Sequence, residues 1–454
     1  MSVTVETIGS EDLYRMRKSH RVVVTGMGAV TPLGLNVEDT WQNLIAGKSG
    51  IQRISTSDWE GKVDAKNSEV DIAGLVMGFD ASKYIPRKEL NRMHRSAQFS
   101  IVAGREALIQ AGLFDASTKM EKGATPLTGV SPEAFGAILG TGIGGGSEIA
   151  DIEDVIRDRG DSRVSPFAML LLLPERVSTV PSMWLSCQAE VGEKTAACAS
   201  GAQAIADAYR VLERGEADVM LAGGSEAAVH RVALSSFNNM HALNNISNDN
   251  PKGASSPFDQ KAAGFVMGEG AGVLCLETLE HALGRGANIL AELVGYSNTA
   301  DAHHDTAPLQ AGAERAIRNA LAMAEIDPSQ VDYINAHGTS TPTNDPNELK
   351  AFRAVFEDSL DDISISSTKS ATGHLLGAGG GIEAVFSIQA ILEGIVPPTL
   401  NLQNPIKEGE GLNLVPLAAQ KREVNIAMSD SLGFGGLNSV LIFRRFQKSY
   451  QEVV

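Results

Sequence analysis

The sequence predicts a layered α/β fold built as two similar halves. Two observations carry this. Strand-type runs alternate with runs of helical periodicity along the chain, the pattern of sheets covered by crossover helices. Near residue 289 the same alternation starts afresh, which divides the chain into an N-terminal extension (1–19), a first half (20–285) and a second half (286–454). The halves share element order but no evident sequence identity. Such alternation implies mostly parallel sheets.

In chain order, "RVVVTGMGAVTPLG" (21–34) reads as a buried strand running into a glycine loop. "RKELNRMHRSAQFSIVAGREALIQAGL" (87–113) has helical spacing throughout and ends at glycine. "AFGAILGTGIGGG" (134–146) and "ADVMLAGGSEAAV" (217–229) are strands followed by glycine turns, and "GAGVLCLETLEHALGRG" (270–286) is strand then helix. In the second half, "NILAELVGYSNTADAHH" is strand then polar loop and "GAERAIRNALAMAEI" a helix. "VDYINAHGTSTPTND" is strand then loop, "ISISSTKSATGHLLGAGGGIEAVFSIQAIL" strand, loop and long helix, and "NSVLIFRRF" a closing strand.

Composition narrows the function. A net charge of −17 argues against general nucleic-acid binding, which needs a basic surface. Cys187, Cys198 and Cys275 are too few, and odd in number, for a disulfide framework. The first twenty residues hold no apolar signal core, and no apolar run is long enough to span a membrane. The expectation is a soluble cytoplasmic protein with no membrane or nucleic-acid partner.

One stretch does not read as packing. "KTAACASGAQA" (194–204) sets Cys198 among very small residues, just before the helical run "ASGAQAIADAYRVLERG". A thiol at a helix N-terminus is stabilised as thiolate by the dipole, and tiny neighbours let a carbonyl approach the backbone. A small buried thiol is the alternative. Cys187 and Cys275 lie in apolar segments and read as packing. His337 and His374 occur in glycine-flanked loops after predicted strands, where parallel strands ending at one sheet edge would gather them. Lys369 precedes His374 by five residues and could orient that imidazole by hydrogen bonding and keep it neutral by charge repulsion. One thiol with two imidazoles suits an acyl-thioester nucleophile facing an enolate better than it suits a protease.

"TAACASGAQAIADA", "NAHGTSTPTND", "SSTKSATGHLLGAGG" and "GFGGLNSVLIF" resemble the signature blocks of the elongating β-ketoacyl-acyl-carrier-protein synthases, closest to the synthase II type. The resemblance covers about residues 20–447. It implies the thiolase-like fold, two similar βαβαβαββ halves in a five-layered α-β-α-β-α body, usually a homodimer, and an acyltransferase acting on acyl- and malonyl-carrier protein. It assigns Cys198 as nucleophile, His337 and His374 as enolate stabilisers, and Lys369 as support. The N–H groups of Cys198 and Phe434 would form the oxyanion hole, with Phe434 also the gate. Thr339 and Thr341 would bind the phosphopantetheine arm, which arrives on the carrier. Ile143, Phe237, Ala168 and Leu432 would line the acyl site, and Asp301 and Glu383 are supporting acids. No cofactor is required; a monovalent cation near Asn335, Glu383 and Ser429 is a further implication.

The chain departs from the family pattern at Leu432 (usually Phe), Ala168 (usually aromatic), His241 (usually Arg) in a longer loop, Asp430 (usually Asn), and "KAAGF" for Arg-Asp-Gly-Phe. These bear on chain length, carrier contact and the cation. Lys88, Arg92 and Arg95 fall at i, i+4 and i+7 and match the carrier-docking region, with a solvated basic face as the alternative. "GTGIGG" (140–145) satisfies a dinucleotide pattern, without the expected acid after it. No zinc spacing is present. A second catalytic cysteine, as in degradative thiolases, is missing after Cys275. A ketosynthase of a polyketide or aryl-polyene pathway stays open, as does a non-catalytic chain-length partner, although such partners lack the cysteine.

Overall fold

The computed structural model describes residues 19–55 and 68–447. All but the last residue of the expected N-terminal extension lies outside them.

Ten strands form one sheet: β1 (Val22–Val30), β2 (Phe135–Gly140), β3 (Val191–Lys194), β4 (Val219–Glu226), β5 (Gly270–Thr278), β6 (Ala291–Ala300), β7 (Tyr333–Asn335), β8 (Ser364–Ser366), β9 (Ile426–Gly433) and β10 (Leu437–Arg444). Their spatial order is β8-β7-β9-β10-β6-β1-β5-β4-β2-β3. From the centre outward the first half reads 1-5-4-2-3 and the second 6-10-9-7-8, the same permutation. The pairing directions repeat too. In each half the two innermost pairings are antiparallel and the two outermost parallel. The halves join where Val22–Val24 pairs antiparallel with Ala291–Leu293. The sheet is therefore mixed, not mostly parallel as expected. β10 and β5 return as hairpin-like neighbours of the central strands, which alternation of strands and helices does not reveal.

Six helices cover it: α1 (Arg95–Gln110), α2 (Arg176–Leu185), α3 (Ser200–Glu213), α4 (Gln310–Ala324), α5 (Asn344–Phe356) and α6 (Gly379–Glu393). Three hydrophobic cores separate the layers. α1 and α2 bury Phe99, Ala103, Val180 and Leu185 against Leu139, Leu221 and Val273 of the first half. α4 and α5 bury Ile317, Leu349 and Phe352 against Ile334, Met428 and Val440 of the second. Between them α3 and α6 place Ile205, Leu212, Ile382 and Phe386 in one core with Met220, Leu274, Ala427 and Leu441 from both halves. The result is the expected α-β-α-β-α stack. α6 is mostly apolar and buried along nearly its whole length because it has sheet on both sides.

The run 87–113 is not one helix. A single turn, Arg87–Leu90, is followed by a break, and α1 begins only at Arg95. His94 caps it: its Nδ1 accepts from the Ala97 N–H at 3.2 Å.

Candidate active site

Two elbows of the same shape meet in the middle layer. A 3₁₀ turn, Ala197–Ala199, leads directly into α3, with Ala197 at φ 49°. Another, Leu376–Ala378, leads into α6, with Leu376 at φ 47°. Non-glycine residues at positive φ are strained, and such strain clusters at functional turns. Cys198 is the centre of the first elbow and Gly377 of the second. Cys198 thus lies just before a helix N-terminus, as expected.

His337 follows β7, and His374 follows the short turn after β8. Ring nitrogens of both and the Cys198 Sγ lie within 4.8 Å of one another. The imidazoles meet edge to face, centroids 5.3 Å apart. Both are buried, at 3% and 2% exposure. The Leu376 N–H donates to His374 Nδ1 at 3.3 Å, so the ring proton sits on Nε2, which has no partner and is buried. His337 Nδ1 is likewise buried without a partner. A thiol and two imidazoles at this spacing resemble a metal-ligating triad. The fixed tautomer argues otherwise, since a protonated Nε2 offers a donor and no lone pair. The arrangement suits a negatively charged oxygen.

Electrostatics agree. Burial holds His337 well below the usual histidine range, helped by the Lys369 cation and by His374. Burial and Lys369 do the same to His374. Both rings are neutral donors at neutral pH. Lys369 itself is buried and paired with Glu383 Oε1. Its charge adds to burial in keeping His374 neutral. It does not orient the ring; the Leu376 N–H does, which sequence reasoning missed.

Burial opposes the thiolate expected at this helix N-terminus. Burial pushes the Cys198 thiol up to about 11, against the opposing pull of Lys369 and of the Phe434 N–H that hydrogen-bonds to it. Cys198 is a resting thiol, open on one side to the cavity.

That cavity holds about 500 Å³. Cys198, His337 and His374 line it together with Ile143, Phe237, Thr339, Thr341, Leu432 and Phe434. The Thr339 and Thr341 hydroxyls are 2.9 Å apart, and both backbone N–H groups donate to Asp345 Oδ1. Phe434, Phe237, Phe265 and His374 follow one another at centroid distances of 6.3, 5.5 and 5.4 Å. A Cβ on Gly433 would stand 3.3 Å from the Cys198 nitrogen, so glycine there keeps the space before that N–H clear. Asp301 ties down the gate loop: its N–H donates to Gly436 O at 2.8 Å, and its carboxylate accepts from Asn438 and Leu309.

Two expected residues fall elsewhere. Ala168 begins a five-residue helix (Ala168–Leu172), is buried, and does not line the cavity of this chain. Arg95 is not a surface cation. Its guanidinium makes two hydrogen bonds to Glu269, both 3.0 Å, and one to Val76 O, between the Phe79 and Phe99 rings. The helix break rotates it inward, away from Lys88. Lys88 is exposed, and Arg92 lies 4.1 Å over the Phe167 ring.

Asn335 and Ser429 are paired neighbours in the parallel register of β7 and β9, and both are buried. The Asn335 Oδ1 and Glu383 Oε2 are buried without a hydrogen-bond partner, while Asp430 and Glu348 face each other as a buried carboxyl pair, both raised by burial.

The comparisons agree with the geometry. Residues 19–282 match the family model for the β-ketoacyl synthase N-terminal domain, and residues 290–403 that for its C-terminal domain. The 3-oxoacyl-[acyl-carrier-protein] synthase 2 of Staphylococcus aureus is 41% identical over 95% of this chain and 100% of its own length. That of Synechocystis is 42% identical over 94% and 98%. Among solved structures, a β-ketoacyl synthase from Burkholderia phymatum superposes with a TM-score of 0.84 at 32% identity, covering 94% of this chain and all of the other. A type II polyketide ketosynthase, in complex with its acyl-carrier protein and bound to the hexaketide, gives 0.82 at 32% with the same coverage. The chain belongs to the β-ketoacyl synthase family.

Proposed function

We propose that this protein is an elongating 3-oxoacyl-acyl-carrier-protein synthase of the synthase II type, an acyltransferase that condenses an acyl group on Cys198 with malonyl-carrier protein in fatty-acid elongation. The observation that carries it is one thiol within 4.8 Å of two neutral, buried imidazoles, one with its proton fixed on the free nitrogen.

Cys198 Sγ attacks the incoming thioester carbonyl. The S–acyl bond forms, the carrier C–S bond breaks, and the thiol proton leaves with the carrier sulfur. A thiol held near 11 favours this concerted exchange over a standing thiolate. Malonyl-carrier protein then loses CO₂. The electron pair of the broken C–C bond passes to the thioester oxygen, which His374 Nε2–H and His337 stabilise as the enolate. The enolate carbon attacks the acyl carbonyl, whose oxygen turns to the N–H groups of Cys198 and Phe434. Collapse breaks the S–acyl bond and releases the Cys198 thiolate, which takes a proton from water. Thr339 and Thr341 hydrogen-bond the phosphopantetheine arm, and Ile143, Phe237 and Leu432 surround the acyl chain.

The unpartnered oxygens of Asn335 and Glu383 support a monovalent cation there, with Ser429 beside Asn335, and the residues fit it. When bound it would balance buried carboxylates that Lys369 alone does not offset. A homodimer is supported by β3, which among the described residues is an edge strand of the sheet. Ala168 would reach an acyl site only across such an interface. The repeated strand order supports the division at 285/286. Localisation is read as cytoplasmic; among the described residues no helix is long and apolar enough to cross a membrane.

A ketosynthase of a polyketide or polyene pathway is the second reading, favoured by likeness to a solved ketosynthase/chain length factor at 33% identity. A product profile with carrier-bound primers of several lengths separates the two. The central test is intact mass after incubation with acyl-carrier protein. One acyl adduct is expected, and an adduct surviving Cys198→Ser would overturn the assignment.

A further inference from the structure

We propose that Lys122, on the loop between α1 and β2, is a docking residue for the acidic carrier protein, completing a patch of Lys88, Arg92 and Lys122 around Glu89. This rests on the condensing reading above.

The patch cannot be read along the sequence. The linear cluster loses Arg95 to Glu269. Its replacement comes from residues 114–131, a loop folded firmly onto the molecule. Met120 and Thr125 are buried. The Gly123 N–H donates to Met183 O at 2.7 Å, Thr125 Oγ1 to Trp184 O at 2.6 Å, and the Thr128 N–H to Leu113 O at 2.9 Å. This anchoring delivers Lys122 Nζ to 3.1 Å from Glu89 Oε2, with Lys122 still 41% exposed. Arg92 approaches the same carboxylate at 3.6 Å.

An ion pair this exposed adds little to folding, and the loop is already held by burial and backbone hydrogen bonds. The Lys122 charge is therefore surplus to the fold. Its effect falls on Glu89, the one carboxylate in the turn Arg87–Leu90. Lys122, more than Arg92 or Lys88, holds the Glu89 carboxyl below its usual range. Three cations converging on one acid leave a positive surface on a chain of net charge −17. An acidic carrier needs such a local patch to find its orientation. The solved relative captured with its acyl-carrier protein supports a partner of that class.

The test is steady-state kinetics of the full-length enzyme on acyl-carrier protein and on the N-acetylcysteamine thioester of the same acyl group, which has no protein to dock. Lys122→Glu should raise KM for the carrier about tenfold, leave kcat within about twofold, and leave the small thioester unchanged. It should also flatten the dependence of log KM on log salt. Glu89→Gln should move the carrier KM the other way, downward about twofold, because it removes the repelling carboxylate and releases Lys122. A carrier KM unchanged in Lys122→Glu overturns the proposal. So does Glu89→Gln raising KM as Lys122→Glu does, or equal losses on both substrates with a lowered Tm; these would make the pair a loop anchor. A wild-type enzyme that turns over the small thioester and never the carrier-bound one would instead sink the carrier reading itself.

Discussion

The two elbows are the same piece of backbone put to opposite uses. Ala197-Cys198-Ala199 and Leu376-Gly377-Ala378 share a 3₁₀ turn, a leading residue at φ 49° or 47°, and a buried helix behind them. Each is covered by a strand end from the other half of the sheet. β9 brings Gly433 over the first elbow, leaving the Cys198 N–H approachable. β4 brings Glu226 over the second, and its carboxylate accepts from Gly377 at 3.2 Å, Gly142 at 2.6 Å and Ile143 at 3.2 Å. One elbow opens on the cavity with Cys198 at its centre, and in the proposed reaction it is the nucleophile and anion site. The other is an anion site already filled by the protein's own carboxylate. Similar folds in the two halves therefore do not make two active sites. What differs is the residue at the turn centre and the group the opposite half presents to it.

The sharpest test of this division concerns the group that the second elbow positions. His374→Ala should lower malonyl-thioester decarboxylation by about 10²–10³, the usual effect of removing one oxyanion donor. Acyl transfer to Cys198 should persist in intact-mass measurements. Loss of both in a folded variant would mean that the elbows do not divide the labour.

The first elbow can be probed by pH. With the thiol held near 11, alkylation by iodoacetamide should rise about tenfold per pH unit from 7 to 10 without levelling. A plateau near pH 7 would show a standing thiolate and restore the helix-dipole expectation. The sequence could not decide this. It placed Cys198 correctly before a helix, yet the burial around the thiol comes from distant segments, Phe237 among them, that no local pattern brings together.

The same limit explains the other differences. "IAMSDSLG" is the buried strand β9, but its Ser-Asp-Ser core has none of the apolar run that marked the other strands. Arg95 matched a helical face by spacing, but its partner Glu269 is 174 residues away. Where the signal was local and strong, as at the glycine-bounded strands and the two histidine loops, it placed the site well. Where a side chain's fate depends on the opposite half of the sheet, it did not.

Filling and emptying the second elbow should cost stability more than chemistry. Glu226→Ala leaves one buried N–H, of Gly377, and two half-buried ones, of Gly142 and Ile143, without their acceptor, a loss of about 2–4 kcal/mol seen as a lower Tm. Gly377→Ala should be at least as damaging, because its Cβ would lie 2.1 Å from the Gly142 nitrogen, a backbone atom that cannot give way. In either variant, acyl transfer measured below the new Tm should stay within about tenfold of wild type. A stable Gly377→Ala protein would break the claim that this elbow is closed.

The smallest effect is expected at Leu432, which stands beside Gly433 where the second half's strand covers the first elbow. Its side chain reaches both ways: it lines the cavity and packs into the outer core with Met428 and Val440. A larger ring there must take room from one side or the other. The outer core is closely packed, so the cavity is the side that yields. Leu432→Phe should therefore lower kcat/KM for the longest primers about threefold to tenfold, the discrimination a few methylenes provide, and leave acetyl and butyryl primers unchanged. A uniform fall across all lengths would place the strain on the gate or the Cys198 N–H instead, and Leu432 would then help to keep the first elbow open.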